Sequence, residues 1–271
     1  MDLLQSSVSA VFLTGNRSRL DARWQTPHTR DPFARLYWVR DGGGYVRHHE
    51  RAFPLRPGHA YLIPPRCDCA YGCPERVEIW WAHVTLELWG SLDAFACLPC
   101  RYELGRAEAG QAFPRHLRQL LALAGQETAA ARLARIGLIL QLAAPFFRVP
   151  PTAAAAAGDG LAAPQRRFLP VLDYIDRHLR ENTPLPRLAA LVHLQPAYFS
   201  HRFAQCFGLG PVAWRNRRRI DRSIPLLLGT ERTLDDIAGE VGFANAFHFS
   251  RVFKHVIGIA PDPFRHRRRG P

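Results

Sequence analysis

The sequence lacks a long apolar run and lacks a cationic, hydrophobic leader. Its longest apolar stretch, residues 138–147, is broken by Gln141 and Pro145 and is shorter than the about 20 residues that a membrane-spanning helix needs. The opening segment, MDLLQSSVSA, carries no positive charge, so a secretory signal is not expected. With 47% apolar and 22% charged residues, the chain is predicted to be a globular cytoplasmic protein without a membrane partner.

Lysine is also nearly absent, because Lys254 stands alone beside 35 arginines. The chain carries 36 basic and 23 acidic residues, a formal net charge of +13. This excess is uneven, since residues 165–271 carry +9 and residues 1–164 carry +4. A basic region of this kind can neutralise the phosphates of a nucleic acid. Charge alone also fits a basic surface that has no such partner.

A segment without apolar periodicity divides the chain of 271 residues, which is long enough for two domains. Residues 150–164, PPTAAAAAGDGLAAP, are mostly proline, alanine and glycine, a composition typical of an interdomain linker. We therefore predict a first domain over residues 1–149 and a second over residues 165–271.

The first domain alternates strand-like segments with turn signals. RLYWVR, GGYVRHH, HAYLIPP and VEIWWAHVTL are rich in aromatic and β-branched residues and are separated by glycine and proline, as in the antiparallel strands of a small barrel or sandwich. The apolar spacing then changes to three or four residues over 113–123 and 129–147, which predicts two amphipathic helices. Every segment after the linker has a helical pattern, so the predicted fold class is α+β: a β-barrel with two helices, then an all-α domain.

The last hundred residues contain an internal repeat. At an offset of 50, AYFSHRFAQCFGLGP (197–211) aligns with FHFSRVFKHVIGIAP (247–261). Upstream, at an offset of 49, one set of apolar positions matches another: Leu185, Leu188, Ala189 and Val192 match Leu234, Ile237, Ala238 and Val241. Each unit is predicted to be a short helix, a tight turn and a second helix, with the one-residue slip in the turn.

The turn residues fit this arrangement. Gly242 follows the first helix of the second unit, where a positive φ is common, and Asn245 can cap the next helix. In the first unit His193 replaces the glycine, and Pro196 opens the second helix after Gln195, which is a poor cap. A helix-turn-helix places its second helix in the DNA major groove, whereas a plain helical bundle is the other interpretation. Two copies in a domain of charge +9 favour DNA binding, and the arginines of the joining helix point the same way: Arg215, Arg217, Arg218 and Arg219.

Residues 168–267 resemble the DNA-binding domain of AraC/XylS-type transcription regulators, with the best match in LDDIAGEVGFANAFHFSRVFKHVIGIAPDPFR of the second unit. The resemblance implies a seven-helix domain whose two recognition helices lie roughly 34 Å, one DNA turn, apart. It also implies a sequence-specific regulator, an activator, that binds double-stranded promoter DNA, has RNA polymerase as a further partner, is not an enzyme and needs no cofactor.

By position, the resemblance assigns DNA contacts to seven residues of the two recognition helices: Ala197, Ser200, His201, Ala246, Phe247, Ser250 and Arg251. Arg251 suits the O6 and N7 atoms of guanine, a contact worth about 1–3 kcal/mol of discrimination, although a phosphate contact is the alternative. Phe247 could contact a thymine methyl group, or it could instead be buried between helices. Phe203 and Phe253 are assigned to the core.

Some residues depart from the family pattern. Arg202 stands where an apolar residue is usual, and Ala260 replaces a serine cap before Pro261. Pro225 is expected to interrupt the connecting helix, predicted over residues 212–228, and to kink it. Such a kink would change the spacing of the two recognition helices.

The first 150 residues resemble the cupin-like, sugar-sensing domain of the same family, through FPLRPGHAYLIPP, EIWWAHV and the two helices that follow. The resemblance implies a small effector, most plausibly a carbohydrate, in the barrel mouth and a homodimer formed through residues 113–147. Trp81 matches a position that stacks on a sugar ring, although it could simply fill the barrel. Arg30 and Tyr71 match polar effector contacts, and His83 shares the strand face of Trp81.

Two clusters keep other functions open. His48, His49, Glu50, His59 and His83 would suit a metal-dependent cupin enzyme fused to a DNA-binding domain, but adjacent histidines on a strand face opposite sides, so no metal site is predicted. A second alternative is a cysteine- or metal-responsive, redox-sensing regulator that uses five thiols: Cys67, Cys69, Cys73, Cys97 and Cys100. Unreacted reduced thiols are the ordinary state in the cytosol.

Overall fold

The computed structural model describes residues 8–88, 92–147 and 163–267. These residues fall into two compact units, a β-rich N-terminal unit and a helical C-terminal unit. The α+β prediction is therefore confirmed. Most of the predicted linker, residues 150–164, lies outside the described residues.

The N-terminal unit is built from two antiparallel sheets. One sheet has the order β1-β8-β3-β6-β10, with β9 also paired to β8, and the other has the order β2-β7-β4-β5. The described strands are β1 (Val8–Asp21), β2 (Gln25–Thr29), β3 (Ala34–Gly42), β4 (Gly44–His48), β5 (Arg51–Leu55), β6 (Ala60–Ile63), β7 (Cys69–Gly72), β8 (Arg76–Leu88), β9 (Leu92–Asp93) and β10 (Glu103–Leu104).

The core of this unit lies between the two sheets. In the register of β3 with β8, Arg35 lies opposite His83 and Tyr37 opposite Trp81, so these side chains share the inner face. Tyr37 packs in one apolar cluster with residues of the second sheet such as Val46, and Trp81 packs against that cluster. The inner face therefore carries polar as well as apolar side chains.

Four helices complete the N-terminal unit: α1 (Ala94–Cys97), α2 (Arg106–Ala109), α3 (Ala112–Ala122) and α4 (Ala129–Ala143). Helix α4 packs on α3 and is continued by a 3-10 turn, Ala144–Phe147, so the two predicted helices are confirmed. By length and hydropathy alone the segment Ala129–Phe147 would suffice to span a membrane, which the apolar run in the sequence did not indicate. In the structure 28% of that apolar window is buried, and Ile139 and Leu142 are among its fully buried residues.

The C-terminal unit consists of a short helix followed by seven more within residues 163–267. They are α5 (Ala163–Arg166), α6 (Leu169–Arg177), α7 (Leu185–Ala190), α8 (Pro196–Phe207), α9 (Pro211–Gly229), α10 (Leu234–Val241), α11 (Ala246–Ile257) and α12 (Pro261–Arg267). We call α7 with α8 the first unit and α10 with α11 the second unit; α9 connects them. Phe203 and Phe253 are both fully buried, which confirms their assignment to the core.

The connecting helix α9 continues through Pro225, so the predicted interruption is wrong. Proline removes one backbone donor from a helix. The helical hydrogen bonding is nevertheless present after Pro225, where the N–H of Thr230 donates to the carbonyl of Leu226 at 3.1 Å. Ile224 and Leu227 on either side are buried. Their packing offsets the lost hydrogen bond.

Candidate DNA interface and effector site

The second unit has a turn that is fixed by local hydrogen bonds. Gly242 ends α10 with a φ of +96°, and the side chain of Asn245 accepts the backbone N–H of His248 at 2.8 Å at the start of α11. The carboxylate of Asp235 accepts the N–H of Ala246 at 2.9 Å. Both sequence expectations for this turn are confirmed.

Helix α11 presents a mixed apolar and cationic face. Phe247 is 79% exposed, so the alternative that it is buried between helices is wrong. Arg251 is exposed, whereas Ala246 and Ser250 are half-buried. Sequence reasoning missed Lys254 and His255, which are exposed one turn further along. Their spacing of three and four residues from Arg251 was the available signal.

The first unit presents a less charged face on α8. Ala197 and His201 are exposed and Ser200 is half-buried. Two exposed residues of this helix, Tyr198 and Gln205, were not predicted. The turn before α8 contains His193 at a φ of +54°, and no described side chain caps α8 at Gln195.

Three α9 arginines, Arg215, Arg218 and Arg219, which together with Arg217 were counted toward DNA binding, are buried and do not add charge to a DNA-facing surface. Arg215 donates to the carbonyl of Thr183 at 3.0 Å, and Arg219 donates to the carbonyl of Leu179 at 2.7 Å. Arg218 forms an ion pair with Asp176 at 3.0 Å. Burial lowers the pKa of Arg219 to about 10, which leaves it charged at neutral pH. Arg215, Arg218 and Arg219 thus bind residues 176–183, the segment before α7. The fourth arginine, Arg217, is half-buried.

In the N-terminal unit, Trp81 and His83 lie together as predicted from their strand spacing. Their rings are 4.6 Å apart, and the indole Nε1 of Trp81 donates to the hydroxyl of Ser18 at 2.9 Å. His83 is buried and stacks on Phe33 at 4.6 Å. Burial lowers the pKa of His83 well below its usual range, and its Nδ1 has no hydrogen-bond partner within the described residues.

Arg35 is the residue of this site that sequence reasoning missed. It is buried, pairs with Asp31 and donates to the sulfur of Cys69 at 3.0 Å. Its guanidinium lies 5.5 Å from the ring of Tyr71, and Tyr71 stacks on Trp24 at 4.8 Å. The strand alternation of RLYWVR, in which Arg35 shares a face with Tyr37, was the signal that could have found it.

Arg30 lies apart from the other predicted effector residues. It is exposed and lines a cavity of about 720 Å³ together with Arg47, His48 and Cys67. The lining of that cavity includes none of the other three predicted residues, Tyr71, Trp81 and His83. The structure therefore brings those three to the inner face, around Arg35, and places Arg30 in the cavity.

The histidine geometry differs from the prediction. His48 and His49 do not point to opposite sides, because the turn after β4 gives His49 a φ of +47° and brings the two Nδ1 atoms to 3.0 Å. Burial lowers the pKa of His48 to about 4. Across the described part of the chain, no group of three or more His, Cys, Asp or Glu residues could hold a metal ion.

Burial raises the pKa of three of the described thiols, Cys67, Cys73 and Cys100, and so favours their protonated form. Burial raises the pKa of Cys67 to about 12 and that of Cys100 to about 11. The thiol of Cys67 donates to the carbonyl of Pro64 at 3.0 Å and that of Cys73 to the carbonyl of Asp21 at 3.0 Å. Zinc binding and redox sensing need a thiolate, which these raised pKa values disfavour. The side chain of Cys97 lies outside the described part of the chain.

Known protein families match both the N-terminal unit and the C-terminal unit. The AraC-like ligand binding domain family matches residues 14–143, and the helix-turn-helix domain family matches residues 188–267. The arabinose operon regulatory protein of Escherichia coli K12 is 29% identical over 240 residues, 83% of this chain and 77% of that protein. Regulatory protein PocR of Salmonella typhimurium is 35% identical over 94 residues, 35% of this chain and 31% of its own.

A solved structure shares the fold. The crystal structure of an apo ToxT variant from Vibrio cholerae superposes with a TM-score of 0.51 at 12% identity, and the match covers 96% of each chain. A ligand-binding domain and a DNA-binding domain thus occur in the same order as in the relatives, which are transcription regulators and not enzymes. The chain belongs to the AraC/XylS-type family and is a DNA-binding transcription regulator with a ligand-binding domain.

Proposed function

We propose that this regulator responds to a carbohydrate bound at the inner face of the N-terminal unit. The observation that carries the proposal is the close grouping of Trp81, His83, Tyr71 and Arg35. The C–H face of a pyranose stacks on an indole, and a few polar groups fix its hydroxyls. The unpartnered Nδ1 of His83 gives one hydroxyl a partner. A relative named for the arabinose operon supports the same class of effector.

Calorimetric titration of the full-length protein with a panel of neutral pentoses and hexoses tests this proposal. We expect one sugar to bind, and we expect Trp81→Ala to weaken it about tenfold or more, the effect of losing about 1.4 kcal/mol. Trp80→Ala is the matched control, because Trp80 lies on the opposite face of the same strand, against Trp38. No binding by any sugar, or equal losses in the two variants, would contradict the proposal.

The proposed regulator acts as a homodimer through α3 and α4. Helix α4 leaves Leu133 70% exposed and Leu140 38% exposed, and seven-residue spacing puts both on one face. Such an apolar stripe favours contact with a second copy. Sedimentation should show a dimer for the wild type and a monomer for Leu133→Glu/Leu140→Glu, whereas Gln141→Glu on the same helix should remain dimeric. A dimer that persists in the double variant would contradict this interface.

In the proposed mechanism the effector changes how the two DNA-binding domains of a cytoplasmic dimer engage promoter half-sites. The activator then recruits RNA polymerase. The base and phosphate contacts are assigned to the seven recognition-helix residues: Ala197, Ser200, His201, Ala246, Phe247, Ser250 and Arg251. A reporter driven by the footprinted promoter should rise when the sugar is added, and a fall would mean repression.

A further inference from the structure

Three polar side chains of α8 form a hydrogen-bonded chain on its exposed side. Arg202 donates from Nη1 to Oε1 of Gln205 at 2.8 Å, and Nε2 of Gln205 lies 2.9 Å from Nε2 of His201. The residues are three and four positions apart, so they are neighbours on one helix face. His201 and Gln205 are exposed, and Arg202 is half-buried.

The donor and acceptor chemistry of these groups fixes their orientation. A guanidinium has no acceptor, so the group that faces Arg202 must be the amide oxygen of Gln205. The amide nitrogen of Gln205 then faces His201 and can only donate, so Nε2 of His201 accepts in this contact and Nδ1 carries the ring proton. Two donors remain free to face DNA: the Nδ1–H of His201 and the second N–H of Gln205.

Such a pair of donors matches one base edge. In the major groove guanine presents two acceptors, O6 and N7, whereas adenine presents one acceptor and one donor and cytosine presents a donor. A freely rotating glutamine would instead pair with adenine through its oxygen and nitrogen together. In α8 Arg202 already takes one of the two lone pairs of the Gln205 oxygen, so a bond from the adenine amino group competes with Arg202 and adenine is disfavoured.

We infer that Arg202 is a positioning residue that fixes Gln205 and His201 as donors and so gives the α8 subsite a preference for guanine. The inference rests on the DNA-binding function and adds a specificity to it. It also gives a role to Arg202, the residue that departs from the family pattern. The described residues of the second unit do not form this hydrogen-bonded arrangement, because Val252 occupies the position equivalent to Arg202 at the offset of 50.

The repeat supplies the variant for the test. Arg202→Val copies the residue that the second unit tolerates at the same place in its helix, so the fold is expected to survive, which thermal unfolding of the variant checks. Arg202→Lys keeps a side-chain donor and is the conservative variant. Gln205→Ala removes the positioned amide itself. The α11 subsite, which none of these changes touches, is the internal reference.

The experiment is base-by-base competition binding of full-length protein to its footprinted site, with all four bases tested at each position. In the wild type we expect guanine to bind about tenfold more tightly than adenine at one position of the α8 subsite. That ratio should fall below about threefold in Arg202→Val and Gln205→Ala and should be largely retained in Arg202→Lys. The preferences at the α11 subsite should not change.

Three results would overturn the inference. An unchanged guanine preference in Arg202→Val would remove the positioning role. An equal loss of affinity for every sequence, with a weaker salt dependence, would make Arg202 a phosphate contact. Base preferences at the α11 subsite with none at the α8 subsite would contradict only the role of Arg202. The absence of base preferences at both subsites would also contradict sequence-specific DNA binding by this protein.

Discussion

The two helix-turn-helix units share one sequence pattern, but different interactions hold them in place. In the second unit the stabilising groups are local: Thr233 forms a capping box with Asp236 at the start of α10, and Asn245 caps α11. In the first unit neither α7 nor α8 has a side-chain cap. Its preceding loop is held instead by arginines that reach over from α9.

These arginines satisfy carbonyl groups of the loop before the first unit, whereas the caps of the second unit accept hydrogen bonds from backbone N–H groups. Arg219 donates to the carbonyls of Leu179 and Glu181 and to the side chain of Asn182. Leu179 is buried, so its carbonyl would otherwise lack a partner. The guanidinium of Arg219 therefore binds groups of its own domain. The loop before the first unit is held by donors from α9, whereas the second unit combines its own caps with donors from Arg180 to the carbonyl of Glu240 and from Arg265 to the carbonyl of Arg232.

Removal of Arg219 should have the largest effect on this comparison. We expect Arg219→Met to lower the free energy of unfolding by about 2–4 kcal/mol, because buried carbonyl acceptors lose their donor. Chemical denaturation monitored by circular dichroism measures this loss. Arg222→Met is the matched control on the same helix, since Arg222 is exposed, and a similar loss in both variants would show that the buried hydrogen bonds are not the cause.

The turn residues should respond in opposite ways. Gly242→Ala is expected to cost about 1–3 kcal/mol, because the φ is +96° and a Cβ there would lie 2.6 Å from the Cα of Arg180. His193→Gly should be close to neutral or stabilising by up to about 1 kcal/mol, since relief of the positive φ opposes the added freedom of the unfolded chain. Equal destabilisation by both changes would contradict the different roles of the two turns.

DNA selectivity should depend more on α11 than on α8. Arg251→Ala should reduce discrimination against the wrong base by about 1–3 kcal/mol at one position, and His201→Ala should cost less, because its Nε2 is engaged by Gln205 and only Nδ1 is left to donate. Binding to single-base variants of the footprinted site measures both effects. A uniform loss across all sequences for Arg251→Ala would identify a phosphate contact instead.

The helix caps should give the smallest effects. Asn245→Ala should destabilise the domain by about 1 kcal/mol, because it removes the acceptor for the N–H of His248. Gln195→Ala should change stability by a few tenths of a kcal/mol at most, since the Gln195 side chain makes no capping hydrogen bond in the described structure. Thermal unfolding of the pair checks this contrast, and an equal shift in melting temperature would contradict it.

Local signals explain which features could be predicted from the sequence. The repeat, the glycine at 242, the cap at Asn245 and the buried Phe203 all follow from spacing and turn chemistry. Arg219 could not be predicted as buried, because its partners are the backbone groups of residues about 40 positions away. A count of charges cannot distinguish an arginine that faces DNA from one that satisfies carbonyls.

The effector site shows the same limit. The pairing of Trp81 with His83 follows from strand alternation, whereas the ion pair of Arg35 and the separate position of Arg30 depend on how the sheets pack. His49 was misjudged because the positive φ of the turn was not visible in the spacing of the histidines. The positions of Arg35, Arg30 and His49 thus depend on tertiary contacts and turn geometry, which the periodicity of the sequence does not reveal.

Footprinting of genomic fragments selected by the full-length protein at about 150 mM salt, first alone and then with the sugar panel, tests DNA reading by both recognition helices. We expect sites in which each half-site carries two protected patches about 10 base pairs apart, one for α8 and one for α11. Sequence-blind, salt-sensitive binding under every condition, or a single protected patch per half-site, would contradict the double helix-turn-helix reading of DNA.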